Sequence, residues 1–524
     1  MKTLPRTTRR STRRPLVAAA AVGVALSLAL AGCSSGGAGG GSKDSSTLTF
    51  GVNADNAPNG YDPLLYSQGQ STFFNGIYDS LFVTDKTGQA QPSLVSSATT
   101  SADKLTLTLK LRSGVAFTDG SKLTSAVVKD NLDRRSDKTL VAYGALAAGG
   151  AAEIKSIATP DDSTVAITWA KPQATGQNNL TDEAGIIVGP KGLADAASLK
   201  TTPDGSGPYT LDTAKTTKSS TYTLVKNTKS WHAKDYPFST VVFKVITNTQ
   251  TLANAVVSGQ VDVAGQLDAS TVDLVKSRQK VAQNGGTIVG FPVADKLGKT
   301  NKAFAKVEVR QALNYGTDRD ALVKDLHPTA KATAQLFPSE APGFDAALNT
   351  KYAYDPAKAK QLLASAGYPD GFSIDLVVLG QPTDDEIAVQ KQWQKIGVKL
   401  NFKIVTSTDA AFAAVSTTPL LFGPFGVGGQ PAGFVAGVVY GGFMNLQQAK
   451  DPNIEKPLGA ALGATGDAQA AALTQLNAAI TDDGWYIPLY ESYITYGYNA
   501  EKVNEPVYSG TNGYLLLSQI TPAK

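Results

Sequence analysis

Residues 354–405 read YDPAKAKQLLASAGYPDGFSIDLVVLGQPTDDEIAVQKQWQKIGVKLNFKIV. Asp355 has the side chain of a helix N-cap, and Pro356 suits the first helical position, where no amide hydrogen is needed. Apolar side chains then recur at helical spacing until Gly367, a residue that favours the end of a helix. The pattern therefore predicts a helix that begins at Pro356 and ends just before Gly367.

The rest of this stretch predicts a strand, a helix and a second strand. Phe372–Leu379 and Val398–Val405 are short apolar segments bounded by turn residues, as strands are. Between them, Thr383 and Glu386 have the spacing of a capping box, which predicts a helix that runs to about Lys395. Because the links are short, these elements form a βαβ unit with parallel strands.

Other stretches predict antiparallel strands. Lys104–Arg112 alternates leucines with polar residues, and Val165, Ile167 and Trp169 repeat the alternation after a turn, as half-buried strands do. Thr47–Asn53 predicts an opening strand, and Thr124–Arg134 predicts a helix. The expected fold class is therefore α/β with mixed sheets.

Composition and charge exclude several kinds of protein. The 524 residues exceed what one core organises, and 42% apolar with 18% charged residues indicates a folded chain. Six basic residues among the first 14 account for the net charge of +4, so the body from Cys33 onward is close to neutral. This balance argues against nucleic-acid binding. One cysteine excludes an intramolecular disulfide framework, and two histidines leave little for a metal site, so we expect neither metal nor cofactor.

The N-terminal region predicts export and lipid attachment. Residues 1–14 are basic, and Leu16–Ala31 is an uncharged run too short for a stable membrane span. The run leads into Leu30-Ala31-Gly32-Cys33, which resembles a bacterial lipobox, whose cysteine is acylated. An ordinary secretory signal is the alternative. Arg13-Arg14 leave the general secretory and the twin-arginine routes both open.

Residues 34–46 are rich in glycine and serine, which predicts a flexible tether between the acylated cysteine and the body. No later apolar run is long enough to span a membrane. We therefore expect a protein held by lipid at the extracytoplasmic face of the bacterial cell membrane.

Motifs of catalysis are few. Ser101–Lys104 and Ser277–Lys280 both fit the S-x-x-K of penicillin-binding enzymes, and Lys86-Thr87-Gly88 fits their K-T-G. The K-T-G precedes both S-x-x-K runs, which is the wrong order. A cell-envelope serine hydrolase is therefore a distant alternative, and we expect no enzymatic activity.

Six segments together carry a family resemblance. The chain resembles the family 5 extracellular solute-binding proteins, the oligopeptide and dipeptide receptors of ABC importers. The similar segments are Leu109–Gly120, Gly205–Leu211, Asn227–Trp231, Gly259–Val263, Val309–Val323 and Tyr354–Gly371. Within them, Gly207, Pro208, Tyr209, Arg310, Asp318 and Arg319 are interpreted as scaffold residues.

The resemblance implies two α/β lobes of the periplasmic-binding-protein type, joined by two crossing segments and a hinge, with a third subdomain. The implied divisions are a signal peptide (1–32), the acylated cysteine and tether (33–46), a discontinuous first lobe (47–80, 205–295 and 485–524), its subdomain (81–204) and a second lobe (296–484).

One departure from the family bears on the ligand. Peptide-binding members carry a second-lobe segment whose aspartate pairs with the α-ammonium of the peptide. In the corresponding stretch, 421–434, Phe425 replaces a tryptophan, Gly428 falls about where the aspartate is expected, and Gln430 replaces a second acid. A buried charge needs a partner. Either the ligand is a neutral, hydroxylated or amine-blocked solute, or another carboxylate serves a peptide ligand.

Aromatic residues are the other candidate ligand contacts, because they combine an apolar face with, in tyrosine, one hydroxyl. The candidates are Tyr66, Phe422, Phe425, Phe434, Tyr490 and Tyr493, besides Gly428 and Gln430.

The expected function is capture of a small solute between the lobes and its delivery to an ABC permease. Ligand would favour the closed arrangement of a monomer, and the permease would recognise that arrangement. A sensor or docking lipoprotein on the same fold is the main alternative.

Overall fold

The computed structural model describes residues 46–65, 68–85, 89–136, 154–406, 414, 417–427, 431–445, 447–506 and 514–524. The strands are β1 Thr47–Val52, β2 Phe82–Thr84, β3 Ala90–Pro92, β4 Val95–Thr100, β5 Thr106–Leu111, β6 Ile154–Asp161, β7 Thr164–Trp169, β8 Tyr209–Leu211, β9 Thr221–Lys226, β10 Thr240–Val245, β11 Val263–Ala264, β12 Lys280–Pro292, β13 Lys331–Ala332, β14 Phe372–Leu379, β15 Val398–Val405, β16 Gly423–Gly426 and β17 Tyr486–Tyr498. The α-helices are Ser71–Ile77, Ser125–Arg135, Asp182–Gly185, Pro190–Ala194, Thr249–Val257, Val272–Lys276, Val307–Tyr315, Arg319–Leu326, Pro356–Ser365, Asp384–Gln394, Pro431–Phe434, Pro452–Gly463 and Gly466–Asp482, and Val435–Tyr440 is a π-helical turn.

The structure confirms the elements predicted for 354–405. Asp355 caps the helix Pro356–Ser365 by accepting a hydrogen bond from the amide of Lys358. Thr383 and Glu386 form the capping box of the next helix. Strands β14 and β15 pair in parallel from Phe372 opposite Val398 to Leu379 opposite Val405, so the βαβ prediction is correct.

The predicted antiparallel region is a four-stranded sheet in the order β4-β5-β7-β6. Leu107 and Leu109 face inward together with Val165, Ile167 and Trp169, and they form one hydrophobic core with the helix Ser125–Arg135. The alternation read from the sequence is therefore the alternation of buried and solvated faces.

A larger sheet runs in the order β16-β12-β17-β11-β1-β10-β9-β8, and β13 also pairs with β17. Strand β1 is parallel to β10 and to β11, whereas the other pairs are antiparallel. The fold is thus α/β with mixed sheets, as expected. No helix in the described parts of the chain is long and apolar enough to cross a membrane.

The paired strands β12 and β17 each contribute side chains to three hydrophobic cores. Ala282 of β12 lies in one core with Tyr496 and Tyr498 of β17. Phe291 of β12 lies in another with Leu489 of β17. Ile288 of β12 and Tyr486 of β17 lie in a third. We call the part around the first of these cores the first body and the part around the other two the second body, and the middle of each strand connects them.

Candidate functional site

The connection between the two bodies contains a β-bulge. Asn284 lies opposite Ile494 and Thr287 lies opposite Ser492, so Gly285 and Gly286 together face one residue, Tyr493. Gly285 has φ +68°, which favours glycine. A Cβ at Gly286 would lie 2.2 Å from a carboxylate oxygen of Glu491 and 2.2 Å from Cβ of Pro338, so only glycine fits there. Such a bulge bends and twists a strand pair locally.

Glu491 is a buried carboxylate beside this bulge, with only 3% of its surface exposed. Both of its oxygens accept from the amide of Ser339 at 3.1 Å, and one accepts from the Ser339 hydroxyl at 3.0 Å. Glu491 thereby ties the segment that contains Pro338 and Ser339 to the middle of β17.

Tyr493 lies one step further along the same face of β17. Among the described residues its hydroxyl has no hydrogen-bond partner, although the oxygen itself is buried. Burial raises the pKa of Tyr493, and the nearby Lys331 ammonium and Ser339 hydroxyl oppose that rise. Neither of these two groups has the geometry of a hydrogen bond to the Tyr493 hydroxyl. The Lys331 ammonium lies 5.0 Å from the centre of the tyrosine ring. An unpaired buried hydroxyl is an unusual cost, which a bound group would remove.

The other candidate tyrosine, Tyr490, points to different partners. Its hydroxyl donates to Asp385 at 2.8 Å, and its ring lies 4.2 Å from that of His327, which also contacts Asp385. Only 5% of Tyr490 is exposed, because it packs in the core of the second body. The geometry therefore gives no support to Tyr490 as a ligand contact.

The aromatic residues of 421–434 lie beside the crossing strands. Strand β16 is antiparallel to β12, with Phe425 opposite Ile288, which lies opposite Glu491 in turn. The ring of Phe425 meets Tyr486 edge-on at 6.0 Å, and Phe422 lies 4.8 Å from Phe291.

Phe434 packs against the same core as Phe425, and all three phenylalanines keep part of their surface exposed. Cys33, Tyr66, Gly428 and Gln430 lie outside the described residues.

The two S-x-x-K matches have no catalytic arrangement. Ser101 donates its hydroxyl to Asp103 at 2.5 Å, and the Lys104 ammonium bonds to the carbonyl of Gly463. Ser277 donates to the carbonyl of Leu274 at 2.6 Å. Lys86-Thr87-Gly88 lies outside the described residues. The serine-hydrolase alternative therefore finds no support in the placement of either serine.

The scaffold interpretation of the segment Val309–Val323 agrees with the structure. The bonds of its Arg310 go to backbone carbonyls, not to acidic side chains. Asp318 caps a helix by accepting from the amide of Ala321. Arg310 donates to the carbonyls of Phe304 and Asp483, both at 2.8 Å. In the parts that the structure describes, no three His, Cys, Asp or Glu side chains are grouped to hold a metal ion.

Sequence reasoning missed Glu491, Lys331 and Ser339 as neighbours of the crossing strands. Their proximity depends on the pairing of β13 with β17, which places Lys331 opposite Glu491. One local signal was present in the sequence, since Gly285 and Gly286 are adjacent glycines, and glycine inside a strand indicates a bulge.

A mixed α/β body with separate cores joined by crossing strands is the architecture of periplasmic binding proteins. Residues 89–429 match the family model described as bacterial extracellular solute-binding proteins, family 5 middle. Since this match covers more than half of the chain, the protein belongs to the family 5 bacterial extracellular solute-binding proteins.

Known proteins with similar sequences and structures agree with this assignment. The glutathione-binding protein GsiB of Pectobacterium atrosepticum is 30% identical over 357 residues, a match that spans 65% of each chain, slightly under two thirds of the relative's length. Among solved structures, the DppA periplasmic binding protein of Helicobacter pylori in complex with the peptide STSA has a TM-score of 0.72 at 22% identity, covering 91% of this chain and 98% of the other. AgaA of A. tumefacien R10, in complex with agropinic acid, has a TM-score of 0.74 at 24% identity, covering 91% of this chain and 99% of the other. These two structures show the shared fold.

Proposed function

We propose that this protein is an extracytoplasmic substrate-binding lipoprotein that captures a small solute between two lobes and delivers it to an ABC permease. The observation that carries the proposal is the pair of strands β12 and β17, which joins two separately packed bodies within a chain of this family. Catalysis has no part in this function. A lipid on Cys33 would hold a monomeric receptor at the outer face of the cell membrane, within reach of the permease.

The cores support an assignment of lobes. The first lobe contains the core of β1, β9, β10 and the ends of β12 and β17, and the subdomain contains the four-stranded sheet. The second lobe contains the two cores that include Phe291 and Phe425. Because Ile288 and Tyr486 already pack in a second-lobe core, we place the boundary at the bulge, between Gly285 and Gly286 and near Tyr493, instead of at 295 and 485.

In the proposed mechanism, the bulge is the hinge. Glycines at 285 and 286 accept backbone changes that other residues resist. The polar residues around them, Asn284, Glu491 and Tyr493, belong to none of the hydrophobic cores that flank the bulge. Ligand binds better between closed lobes and so shifts the population toward the closed arrangement.

The proposed ligand is a peptide or a related small solute. The relatives named as glutathione-binding proteins favour a short peptide. Gly428 and Gln430, in place of the acids of peptide-binding members, instead favour a ligand that needs no carboxylate partner at that point. We propose Tyr493, Phe422, Phe425 and Phe434 as ligand contacts, and Tyr66, Gly428 and Gln430 remain predictions.

The test is thermal unfolding of the body that starts at Ser34, because Ser45–Lys524 forms a compact unit by itself. The protein is heated with pools of glutathione, other free-amine peptides, oligosaccharides, polyamines or metal chelates. A ligand at 100 times its dissociation constant adds about 2.7 kcal/mol to the stability, a readily measured shift.

A shift with free-amine peptides supports the peptide ligand and means that another acid replaces the missing aspartate. A shift with neutral or sugar-like solutes alone supports the altered anchor at Gly428 and Gln430. Absence of a shift in every pool leaves the ligand open and favours the sensor or docking alternative.

A further inference from the structure

Lys104 occupies an unusual position at the turn between β4 and β5. Its φ of +61° lies in the left-handed region, which residues other than glycine rarely adopt. The conformation is held from both sides, because the Lys104 amide donates to the carbonyl of Ser101 at 2.9 Å and the Lys104 carbonyl accepts from the amide of Gln173 at 2.7 Å. The backbone therefore fixes the direction in which the Lys104 side chain leaves the chain.

The side chain ends at a helix C-terminus. The Lys104 ammonium bonds to the carbonyl of Gly463, the last residue of the helix Pro452–Gly463. The final carbonyls of a helix lack intrahelical donors and carry partial negative charge, so a lysine is favourable there. In the same turn, the carbonyl of Ala461 is satisfied by the side chain of Gln469 at 3.0 Å.

This bond joins the four-stranded sheet to the helix Pro452–Gly463, and the two belong to separate hydrophobic cores. Leu107 and Leu109, just beyond Lys104, belong to the core of the four-stranded sheet. Leu458 and Ala461 of the helix belong to a core of the proposed second lobe. Outside the sheet that contains β12 and β17, no other hydrogen bond or ion pair with both partners among the described residues connects these two sides.

We propose that Lys104 and Gly463 form an interlobe latch that stabilises the closed arrangement. The inference rests on the proposed function, because it requires lobes that open and close about the bulge. Opening separates the four-stranded sheet from the helix and transfers the ammonium to water. The latch thus raises the closed population before ligand arrives and slows ligand release afterwards.

The test measures the distance between the two sides in the ligand-free body. Spin labels are attached at Lys155→Cys and Ala468→Cys, both exposed, in the body that starts at Ser34 and so lacks Cys33. Double electron–electron resonance then gives the distribution of distances. Lys104→Met should increase the open fraction about two- to five-fold, as expected for loss of one partly exposed charged contact. Lys104→Glu should increase it further, and Lys104→Arg should preserve the original distribution.

Lys110→Met is the matched control. Lys110 is an exposed lysine of the same sheet, and its ammonium contacts Thr164 at 2.5 Å and Asp161 at 3.8 Å without reaching the other side. Thermal unfolding confirms that each variant is folded. The latch is refuted if Lys104→Met and Lys104→Glu leave the distribution unchanged, or if Lys110→Met shifts it equally.

The ligand-free measurement separates this proposal from the proposed function. If no pool stabilises the protein but the Lys104 variants open it, solute capture is not supported and the latch stands. If a ligand is found, its dissociation from Lys104→Met should be about two- to five-fold faster than from the wild type. An unchanged dissociation rate contradicts the latch while leaving solute capture intact.

Discussion

Two charged groups in different parts of the molecule, one buried and one partly exposed, are held in contrasting ways. Arg319, in the proposed second lobe, is 7% exposed and donates to the carbonyls of Pro488 at 2.7 Å, Asn314 at 3.0 Å and Tyr352 at 3.2 Å. It also donates to the Asn314 side-chain oxygen at 2.7 Å. Asp182, in the proposed subdomain, receives the Thr84 hydroxyl at 2.5 Å and the Thr84 amide at a longer 3.4 Å.

Burial shifts the pKa of both groups toward the neutral form. Burial lowers the pKa of Arg319 to about 10, which still leaves it charged at neutral pH. Burial and the neighbouring Glu183 charge raise the pKa of Asp182 to about 6, since the hydrogen bonds from Thr84 offset only part of the desolvation. The two groups therefore differ in how close the shifted pKa lies to neutral pH: Asp182 titrates near it, whereas the guanidinium of Arg319 remains charged and keeps its hydrogen-bond acceptors.

The largest expected effect is that of Arg319→Met. The substitution removes the group that donates to the carbonyls of Pro488, Asn314 and Tyr352, and of these the Asn314 carbonyl keeps a second donor in the amide of Thr317 at 3.3 Å. It also removes the hydrogen bond that links β17 to the start of the helix Arg319–Leu326. We expect the free energy of unfolding to fall by about 3–5 kcal/mol. Urea unfolding followed by tryptophan fluorescence measures the loss.

Lys324→Met, at an exposed position of the same helix, is the control and should change stability by less than about 0.5 kcal/mol. A loss below about 1 kcal/mol in Arg319→Met would mean that water replaces the guanidinium as a hydrogen-bond donor. The contrast drawn between Arg319 and Asp182 would then be wrong.

A smaller, pH-dependent effect is expected for Asp182→Asn. The folded-state pKa of Asp182 lies above its usual value of 3.8, so the folded protein binds more protons than the unfolded chain between about pH 4 and 6. This carboxyl therefore lowers stability progressively as the pH rises through that window. Asparagine has no charge to desolvate, and it also tolerates the φ of +47° at this position.

The measurement is thermal unfolding of both proteins between pH 4 and 8. The stability of Asp182→Asn relative to wild type should grow from near zero at pH 4 to about 1–3 kcal/mol above pH 7. Asp195→Asn, at an exposed carboxyl, is the matched control for the loss of a surface acid. A difference in Asp182→Asn that does not vary with pH would show that Asp182 ionises normally.

The parts of the fold that the sequence predicted well depend on local signals. The caps at Asp355 and Thr383, the proline at 356 and the glycine at 367 each act on neighbouring backbone, so spacing alone located the elements. The site depends instead on register between distant segments, as when Phe425, Ile288 and Glu491 meet across three strands. No local pattern encodes such a register.

Tyr490 and Tyr493 show the same limit within a single strand. The sequence predicted both as ligand contacts because they belong to one aromatic segment. Residues three apart in a strand point to opposite faces, so Tyr490 enters the second core while Tyr493 lies with Glu491 beside the bulge. Which face carries ligand depends on the packing of β12, β13 and β16, and the sequence of β17 does not contain that information.

The smallest expected change in stability is that of Tyr493→Phe, which tests the orphaned hydroxyl directly. Because this hydroxyl is buried with no hydrogen-bond partner among the described residues, its removal should not lower the free energy of unfolding, and the gain should stay below about 1 kcal/mol. Affinity for a solute found in the thermal screen should nevertheless fall about two- to ten-fold, the value of one hydrogen bond.

Tyr490→Phe is the matched control. It removes a bond to Asp385, so it should cost about 1–3 kcal/mol of stability and leave affinity unchanged. Calorimetric titration and urea unfolding of the two variants decide the matter, and the reverse pattern would assign the ligand to Tyr490.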